Sequence, residues 1–383
     1  MTVRPKVLLV AVGGYGRVYL DYLTQHDAGA DIAGICDVMP DIREKLPVIQ
    51  ERQIPVYPSL EAFYQEREAD LAVIASPMHF HTEMTLTCLS HGTNVLCEKP
   101  LCLTLAEAGQ MQQAAEKAGK FLAVGYQLDY QRDVLALKHD IVSGRYGTPI
   151  RAQAVHGFRR GEKYYARNNW AGHKTVNGRE VLDSPFNNAS AHNFQLLTFL
   201  MGQKMASACD VVDLQAELYR ANPQVENFDT AALRFQMENG AEILYYTTHA
   251  LPSPEFGPYG VMEFTGGKVT YGYQGKGFRG ELADGTVIDY SGVNPGDPLQ
   301  KLLDALECVK HGGTPVCGVA AERPHIHAVR LAADMPIRNI APEKITLDRQ
   351  ADDIFRYIDD IEHIFMQCAQ EWKLPGELGI QLG

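Results

Sequence analysis

The stretch KVLLVAVGGYG, residues 6–16, decides the fold of the first part of the chain. Its apolar half has the length of a short buried strand. It passes directly into the glycine-rich turn Gly13-Gly14-Tyr15-Gly16, after which the apolar residues take helical spacing. In dinucleotide-binding proteins this order places a pyrophosphate against the N–H groups of a helix N-terminus. Ala11 stands where the G-x-G-x-x-G pattern has its first glycine. An ordinary strand-to-helix turn without a ligand is the alternative interpretation.

A carboxylate at the end of the second apolar run supports the dinucleotide interpretation. Asp37 follows the run 31–36 and comes 21 residues after Gly16, near the spacing of about 20 that places an acid beside a ribose. Such a carboxylate accepts hydrogen bonds from both ribose hydroxyls and repels a 2′-phosphate, and neither position 38 nor position 39 is an arginine. The sequence therefore predicts NAD rather than NADP, unless Asp37 only forms a turn at the strand end.

The first 128 residues alternate short apolar runs with helical segments. In the helix predicted over 104–117, Thr104 and Glu107 form a capping box and Gly119 provides the stop. Continuous apolar strands separated by helices are typical of a parallel sheet covered on both faces. We therefore predict an α/β Rossmann domain with a doubly wound parallel sheet over residues 1–128, with strands at 6–12, 31–36, 71–75, 94–97 and 121–124.

After about residue 128 the pattern changes to longer, alternating strands joined by tight turns. This predicts an α+β domain over residues 129–346 with a large open-faced, mostly antiparallel sheet. Turn signals stand at 238–240 and at Asp284-Gly285, and helices are predicted over 186–201 and 298–311. The amphipathic segment 348–372 predicts a long helix, so that residues 347–383 form a C-terminal helix that packs back. The predicted strands are 150–158, 206–219, 230–237, 241–249, 261–264 and 268–273.

Composition and charge exclude several classes of function. The chain has 383 residues, 45% of them hydrophobic, and a formal net charge of −12. A chain this acidic lacks the basic face that general nucleic-acid binding or attachment to anionic membranes requires. The eight cysteines form no C-x-x-C pair, and no targeting or membrane-spanning segment is visible. We expect a cytoplasmic protein with free thiols and no metal site.

The triplet Glu98-Lys99-Pro100, directly after the apolar run 94–97, carries a family resemblance. Together with ASPMHFH at 75–81, GYQ at 125–127 and SGRYGTP at 143–149, it resembles the Gfo/Idh/MocA oxidoreductases, named for glucose–fructose oxidoreductase and inositol dehydrogenase. The resemblance is strong to residue 150 and looser beyond. It implies a Rossmann domain, an open-faced mixed sheet, a nicotinamide cofactor and a sugar or polyol substrate.

Lys99 also has a physical interpretation of its own. It ends a parallel strand at the carboxyl edge, where ligands bind in this architecture, and an ammonium there can hold a substrate hydroxyl and stabilise an alkoxide. A solvated strand-end lysine is the alternative. Glu98 is expected to position Lys99 or a cofactor ribose. His81 is implied to lie near the cofactor, or else to have a capping or packing role. The expected NAD-binding set is Gly13, Gly14, Tyr15, Gly16, Asp37, Ser76, Pro77, His81, Glu98, Lys99 and Gln127.

A second catalytic segment departs from the family pattern. Many family members carry Asp-x-x-x-His on a helix about ten residues before a glycine. Here His192 precedes Gly202 by ten residues, but the position four before it is Asn188. On one helix these two residues would share a face, and an imidazole can take a hydroxyl proton near neutral pH. Asp183 is the nearby acid, either as the missing catalytic carboxylate or as a cap at the helix start. A histidine bonded within the packing is the alternative for His192.

A cluster of aromatic and polar residues over 164–170 offers a sugar site. Aromatic rings stack on the apolar faces of sugars, and Arg and Asn side chains bind hydroxyls. Tyr165, Arg167 and Trp170, together with Asn188, are therefore the predicted substrate residues, with interface packing as the alternative. His325 and His327 lie two residues apart and lack partner ligands, so no metal site is predicted.

These observations together predict an NAD-dependent oxidoreductase acting on a secondary hydroxyl of a sugar, glycoside, polyol or sugar acid. Two alternatives stay open: a redox-neutral epimerase or oxidative glycosidase that retains NAD, and a non-catalytic sugar or NAD sensor. We also expect a homodimer or homotetramer built on the second sheet. Alternation along its strands suggests an exposed apolar face, and which of the two sets of alternating residues forms it stays open; one set is illustrated by Leu233, Phe235, Met237, Ile243 and Tyr245.

Overall fold

The computed structural model describes residues 4–272 and 277–383, and Tyr273, the end of one predicted strand, lies outside them. The chain divides into two compact units, the first made of 1–130 with 296–322 and the second of 131–295 with 323–383. These boundaries differ from the predicted ones mainly in the segment 296–322, which was expected in the second domain.

The first unit contains the predicted parallel sheet. All neighbouring strands pair in parallel, in the order β3-β2-β1-β4-β5-β6, which confirms the doubly wound Rossmann fold. The two-residue strand at the sheet edge was not predicted, because it is too short to show a hydrophobic pattern. The strands are β1 (Lys6–Val10), β2 (Asp31–Cys36), β3 (Val56–Tyr57), β4 (Leu71–Ile74), β5 (Asn94–Cys97) and β6 (Leu122–Val124).

The second unit contains a nine-stranded mixed sheet. Its order is β16-β15-β14-β13-β7-β12-β11-β10-β17, with parallel pairing only between β7 and β12 and between β10 and β17. The sheet is thus mostly antiparallel, as predicted. Its strands, with two small hairpins, are β7 (Pro149–Phe158), β8 (Thr175–Val176), β9 (Arg179–Glu180), β10 (Val211–Arg220), β11 (Thr230–Met237), β12 (Glu242–Thr248), β13 (Glu255–Phe264), β14 (Gly267–Tyr271), β15 (Arg279–Leu282), β16 (Val287–Asp289), β17 (Ile337–Asn339), β18 (Ile345–Arg349) and β19 (Ile354–Ile358).

The helices follow local sequence signals where those signals are strong. The helix that begins after Thr104 has the predicted capping box and ends at Gly119 in the left-handed conformation. The described α-helices are α1 (Gly16–Gln25), α2 (Ile42–Lys45), α3 (Val48–Glu51), α4 (Leu60–Glu66), α5 (His81–Ser90), α6 (Leu105–Ala118), α7 (Arg132–Val142), α8 (Glu162–Ala166), α9 (Ala191–Met201), α10 (Gln300–His311), α11 (Val319–Ala333) and α12 (Ile361–Glu371). None of them is long and apolar enough to cross a membrane.

The helix α10 belongs to the first unit because its apolar stripe completes the core of the parallel sheet. Leu299, Leu302, Ala305 and Leu306 are buried in one cluster with residues of β1, β4 and β5. Their spacing predicts a helix, but it does not indicate which sheet the helix covers. The assignment of α10 to the first unit therefore could not be predicted from its own sequence.

The C-terminal segment is not the single helix predicted over 348–372. It forms the hairpin β18–β19 and then α12, which begins after Asp360 in the left-handed conformation. Apolar residues at 354, 358, 361 and 365 fit helical spacing, but 354 and 358 also fit a strand of period two. A turn closed by a hydrogen bond from the Gln350 N–H to the Asp353 carbonyl favours the hairpin.

The central strands of the mixed sheet are covered on both faces within one chain. From α9, Phe194 lies 4.7 Å from Phe235 between ring centroids, and from α12, Phe365 lies 5.5 Å from Tyr246 on the other face. The expectation of an exposed apolar face was therefore wrong, because the second face is covered by the C-terminal helix. The expected homodimer or homotetramer, which rested on that face, stays a prediction. The residues that illustrated the alternation are at most 3% exposed: Leu233, Phe235, Met237, Ile243 and Tyr245.

Candidate active site

The predicted cofactor residues of the first unit follow the carboxyl ends of its strands. The glycine turn follows β1, Asp37 follows β2, Ser76 follows β4, Glu98 and Lys99 follow β5, and Gln127 follows β6 at the start of a 3₁₀ turn, 127–130. In a parallel sheet these ends share one edge, where ligands of doubly wound proteins bind. The fold thus brings the predicted set to one edge of the unit.

The glycine turn leaves its backbone accessible. A Cβ on Gly14 would meet nothing within 4 Å, whereas one on Gly16 would lie 2.3 Å from the Ala11 carbonyl oxygen. Gly16 therefore allows close contact between α1 and β1, and Gly14 leaves space for a ligand at the helix N-terminus. Ala11 adopts a φ of 65°, a left-handed conformation for which glycine is better suited. Tyr15 is 47% exposed beside this turn.

Asp37 is buried against the glycine turn. Its Oδ2 accepts hydrogen bonds from the N–H groups of Val12 at 2.8 Å and Gly13 at 3.2 Å, and its Oδ1 accepts one from Met39 at 2.9 Å. The carboxylate therefore joins the end of β2 to the turn after β1. A carboxylate has about four acceptor positions, so three backbone donors leave capacity for a ribose hydroxyl. The open turn, the helix N-terminus and this acid fit NAD.

His81 acts within the protein on the loop that follows β4. Its ring is 1% exposed, with Nδ1 lying 2.9 Å from the Pro100 carbonyl oxygen and Nε2 lying 2.8 Å from that of Ser76. Burial lowers the pKa of His81. The ring thus ties the Ser76-Pro77 loop to the segment after Lys99, and any effect of His81 on the cofactor would pass through this loop.

A buried ion pair lies directly beside Lys99. The ammonium of Lys301, on α10, lies 2.5 Å from Glu98 Oε1 and also donates to the Gly125 carbonyl at 3.0 Å, and its side chain is only 1% exposed. The Tyr19 hydroxyl donates to the same carboxylate oxygen at 2.5 Å. Glu98 Oε2 accepts the Lys99 N–H at 3.2 Å. Lys99 itself is half-buried and precedes a cis peptide bond to Pro100.

Sequence reasoning missed Lys301. One feature of the sequence could have identified it: the lysine lies between Leu299 and Leu302, near the apolar stripe of a predicted helix. A buried cation at such a position needs a charged or polar partner. Glu98 was expected to position Lys99 or a cofactor ribose, and in the structure its carboxylate accepts the backbone N–H of Lys99. It thus links that backbone to a cation from a distant segment.

In the second unit, Asn188 and Asp183 lie together but not on a helix. The expected shared helix face of Asn188 and His192 was wrong, because α9 begins at Ala191 and Asn188 lies in the preceding turn. The Asn188 side-chain amide donates to Asp183 Oδ1 at 2.9 Å, and Asp183 Oδ2 accepts the Gly172 N–H at 2.7 Å. His192 is half-buried in the first turn of α9. Asp183 therefore orders the turn before the helix rather than capping it.

The predicted sugar cluster divides into a buried and an accessible part. Tyr165 is buried, and its hydroxyl lies 2.9 Å from Nδ1 of His249. Arg167 is exposed, and its guanidinium carbon lies 3.5 Å from the ring centroid of Tyr164 and 5.2 Å from that of Trp170. An arginine and two aromatic rings are thus close together, and the buried Tyr165 packs edge-on against Tyr164, with 5.2 Å between the ring centroids. Within the described residues no group of three metal-ligating side chains occurs.

Residues 6–126 match the family model of the GFO_IDH_MocA oxidoreductases, described as an NAD-binding Rossmann fold. Inositol 2-dehydrogenase from Klebsiella pneumoniae is 25% identical over 235 residues, which are 59% of this chain and 64% of that protein. 1,5-Anhydro-D-fructose reductase from Ensifer adhaerens is 35% identical over 98 residues, 26% of this chain and 29% of the reductase. The chain thus spans about 64% of the length of the inositol dehydrogenase that it matches.

A solved structure extends the likeness over both units. The WlbA dehydrogenase from Bordetella pertussis, crystallised with NADH and UDP-GlcNAcA, superposes with a TM-score of 0.70 at 20% identity, over 87% of this chain and 97% of that chain. At this identity the likeness shows the shared fold. The sequence match of the first unit is more specific, and it covers the glycine turn, Asp37 and Lys99. Over residues 6–126 the chain is therefore similar to the NAD-binding Rossmann domain of the GFO_IDH_MocA oxidoreductases.

Proposed function

We propose that the protein is an NAD-dependent oxidoreductase that transfers hydride between nicotinamide and a secondary hydroxyl carbon of a sugar, polyol or sugar acid. The observation that carries the proposal is Lys99, half-buried at the carboxyl end of β5 in an NAD-binding domain, with its backbone held by the buried Glu98–Lys301 pair. An ammonium fixed at a ligand-binding edge suits a hydroxyl that becomes an alkoxide. The polyol and sugar substrates in the names of the two relatives support the substrate class.

The cofactor supplies the hydride acceptor, and the residues of this chain handle the proton. Lys99 holds the substrate hydroxyl and stabilises negative charge on its oxygen as the C–H bond breaks. His192 takes the hydroxyl proton, since an imidazole titrates near neutral pH. Asn188, fixed by Asp183, binds a neighbouring hydroxyl and orients the ring that reacts. The glycine turn and Asp37 hold the pyrophosphate and the ribose.

The test is the formation of free NADH, followed by its absorbance at 340 nm, with a panel of inositols, hexoses and hexuronates. We expect NADH to accumulate over many turnovers, whereas an enzyme that retains NAD would convert substrate without releasing it. Lys99→Ala should lower kcat by roughly two to four decades with little change in NAD affinity. Lys117→Ala is the matched control, because Lys117 is an exposed lysine of the same unit on α6.

The kinetic prediction also has a clear failure. If Lys99→Ala reduces NAD affinity and leaves kcat unchanged, the lysine is a cofactor contact and the proton chemistry proposed for it is wrong. If no panel member yields either NADH or a converted sugar, while NAD binds, the protein has a sensing role instead.

A further inference from the structure

Two arginines of the second unit lie over one tyrosine ring without an acidic partner. The guanidinium carbons of Arg167 and Arg160 lie 3.5 and 4.7 Å from the ring centroid of Tyr164. Nearby arginines are neutralised, since Arg159 pairs with Asp348 at 3.4 Å and Arg356 with Glu162 at 2.6 Å. Across the described residues, neither Arg160 nor Arg167 forms an ion pair. Two like charges inside one Debye length of ~10 Å therefore stand together on a chain of net charge −12.

Two buried nitrogen atoms beside this ring also lack a hydrogen-bond partner among the described residues. Nε of Arg160 and Nε2 of His249 are both buried, and neither has a hydrogen-bond partner in the described part of the chain. When the Tyr165 hydroxyl donates to Nδ1 of His249, Nε2 carries the ring proton and is a donor; when Nδ1 donates to the hydroxyl, Nε2 is an acceptor. Burial and the charges of Arg160 and Arg167 lower the pKa of His249 well below its usual value, so the ring stays neutral. The Nε–H of Arg160 is a donor in any case, so it indicates an acceptor that the described residues do not supply.

Asp183 does not serve as the missing counter-ion. Its charge is close enough to raise the pKa of Tyr164, but its oxygens accept from the Gly172 N–H at 2.7 Å and the Asn188 side-chain amide at 2.9 Å, and no ion pair joins it to Arg160 or Arg167 among the described residues. The arginines are held by aromatic stacking instead, which fixes their planes and leaves guanidinium N–H groups for a ligand. Arg167 is exposed, so a ligand can reach the pair from solvent.

We propose that Arg160 and Arg167 bind an oxyanion carried by the substrate, so that the enzyme acts on anionic sugars in preference to neutral ones. The proposal rests on the proposed function for the remainder of the site. The planar guanidinium group forms paired hydrogen bonds with carboxylate and phosphate alike, so the group is the carboxylate of a sugar acid or the phosphate of a sugar phosphate. Trp170, 5.2 Å from Arg167, provides an apolar face beside the pair.

The test is calorimetric titration of the full chain saturated with NADH, using sugars that differ only in the charged group. D-Glucuronate and glucose 6-phosphate are compared with D-glucose, and D-galacturonate with D-galactose. We expect at least one anion to bind about tenfold tighter than its neutral counterpart. The carboxylate and phosphate arms show which oxyanion the pair prefers.

Variants assign the preference to the two arginines. Arg160→Gln and Arg167→Gln should each weaken binding of the preferred anion by about 10- to 100-fold, a much larger change than for its neutral counterpart. Arg279→Gln is the control of equal charge change, on a surface strand of the same unit. Circular dichroism of each variant confirms that it is folded. Equal binding of anionic and neutral sugars, or a preference that survives both substitutions, overturns the proposal.

Binding and turnover separate this inference from the proposed function. Arginine-dependent anion binding without any NADH formation would sink the dehydrogenase proposal alone. NADH formation from anionic sugars that neither substitution affects would refute the anion site alone.

Discussion

Replacing Lys301 with methionine should destabilise the first unit far more than its single charge suggests. The ammonium is 1% exposed, its partner Glu98 is 9% exposed, and the two lie 2.5 Å apart. Methionine fills most of the volume but leaves the Glu98 carboxylate buried, with only the Tyr19 hydroxyl and the Lys99 N–H to solvate it. Breaking a buried pair by removing one partner costs about 3–5 kcal/mol, because the remaining charge is uncompensated.

The expected change is large on the scale of a melting experiment. A domain of 150–250 residues loses roughly 2–4 °C of Tm per kcal/mol, so Lys301→Met should lower Tm by about 6–20 °C. Circular dichroism or dye-based melting measures this shift. Lys310→Met on the same helix is the control, since Lys310 forms an exposed pair with Glu307, 24% and 57% exposed, that is worth about 0–1 kcal/mol.

A second variant distinguishes the lost charge pair from lost packing. Adding Glu98→Gln to Lys301→Met removes the buried charge, so the double variant should recover much of the lost stability while Gln still accepts the Lys99 N–H. Where folded, Lys301→Met should also lower kcat, because Glu98 holds the backbone of Lys99. A loss below about 1 kcal/mol, or a double variant no more stable than the single one, would refute the reasoning.

Three further outcomes follow from single contacts. Asp37→Ser should narrow the preference for NAD over NADP, as measured by titrating both cofactors. It should also lower Tm, because three backbone N–H groups lose their acceptor. Tighter binding of NADP than of NAD by the unmodified chain would contradict the role given to Asp37. Lys138→Met should lower the free energy of unfolding by about 2–4 kcal/mol, measured by chemical denaturation. The reason is that the buried ammonium donates to the carbonyls of Phe199, Gly202 and Ser207 at the end of α9. Lys163→Met, which removes an exposed ion pair, should leave the free energy of unfolding nearly unchanged. Because the pKa of His249 is lowered in the folded state, its contribution to stability is present above its unfolded pKa of about 6.5 and is lost as pH falls below that value. His249→Gln should therefore reduce the fall in the free energy of unfolding between pH 7.5 and pH 5. The same fall in the variant as in the unmodified chain would contradict a neutral buried ring.

Asp229 contributes to the pH dependence of stability with the opposite sign, and its contribution must be separated from that of His249. Burial raises the pKa of Asp229 to about 6, so the folded state binds its proton more tightly than the unfolded chain does. Stability from this group therefore falls as pH rises from about 4 to about 6. The difference between the unmodified chain and His249→Gln isolates the histidine, because Asp229 contributes equally to both.

Features set by neighbouring residues could be predicted from the sequence. The strand and glycine turn of residues 6–16, the capping box at Thr104 and the hairpin at 238–240 each depend on a few adjacent side chains, and the structure contains all three. The parallel order of the first sheet also follows, because apolar strands alternate with helices. The position of Asp37 could be predicted from the apolar run before it and its spacing from the glycine turn, since the acid of such a unit follows the second strand.

Features that depend on tertiary packing could not be predicted. The helical spacing of 298–311 is correct, but only the shape of the first core decides that α10 belongs there. Apolar spacing over 348–372 fits both a helix and a hairpin, and the cover that this segment provides for the mixed sheet selects the hairpin and a shorter helix. Asn188 has helical spacing to His192, but its hydrogen bond with Asp183 lies in a turn before the helix.

The charged groups that sequence reasoning missed share a physical cause. A buried charge requires a partner in space, and nothing in local sequence says how far along the chain that partner lies. Glu98 finds its cation 203 residues away, and His249 meets Tyr165 across 84 residues. Residue type and spacing can suggest which side chains meet a substrate, because chemistry fixes both. The residues that hold those side chains in place are fixed only by the fold, and only the packing of α10 against the first core brings Lys301 to Glu98.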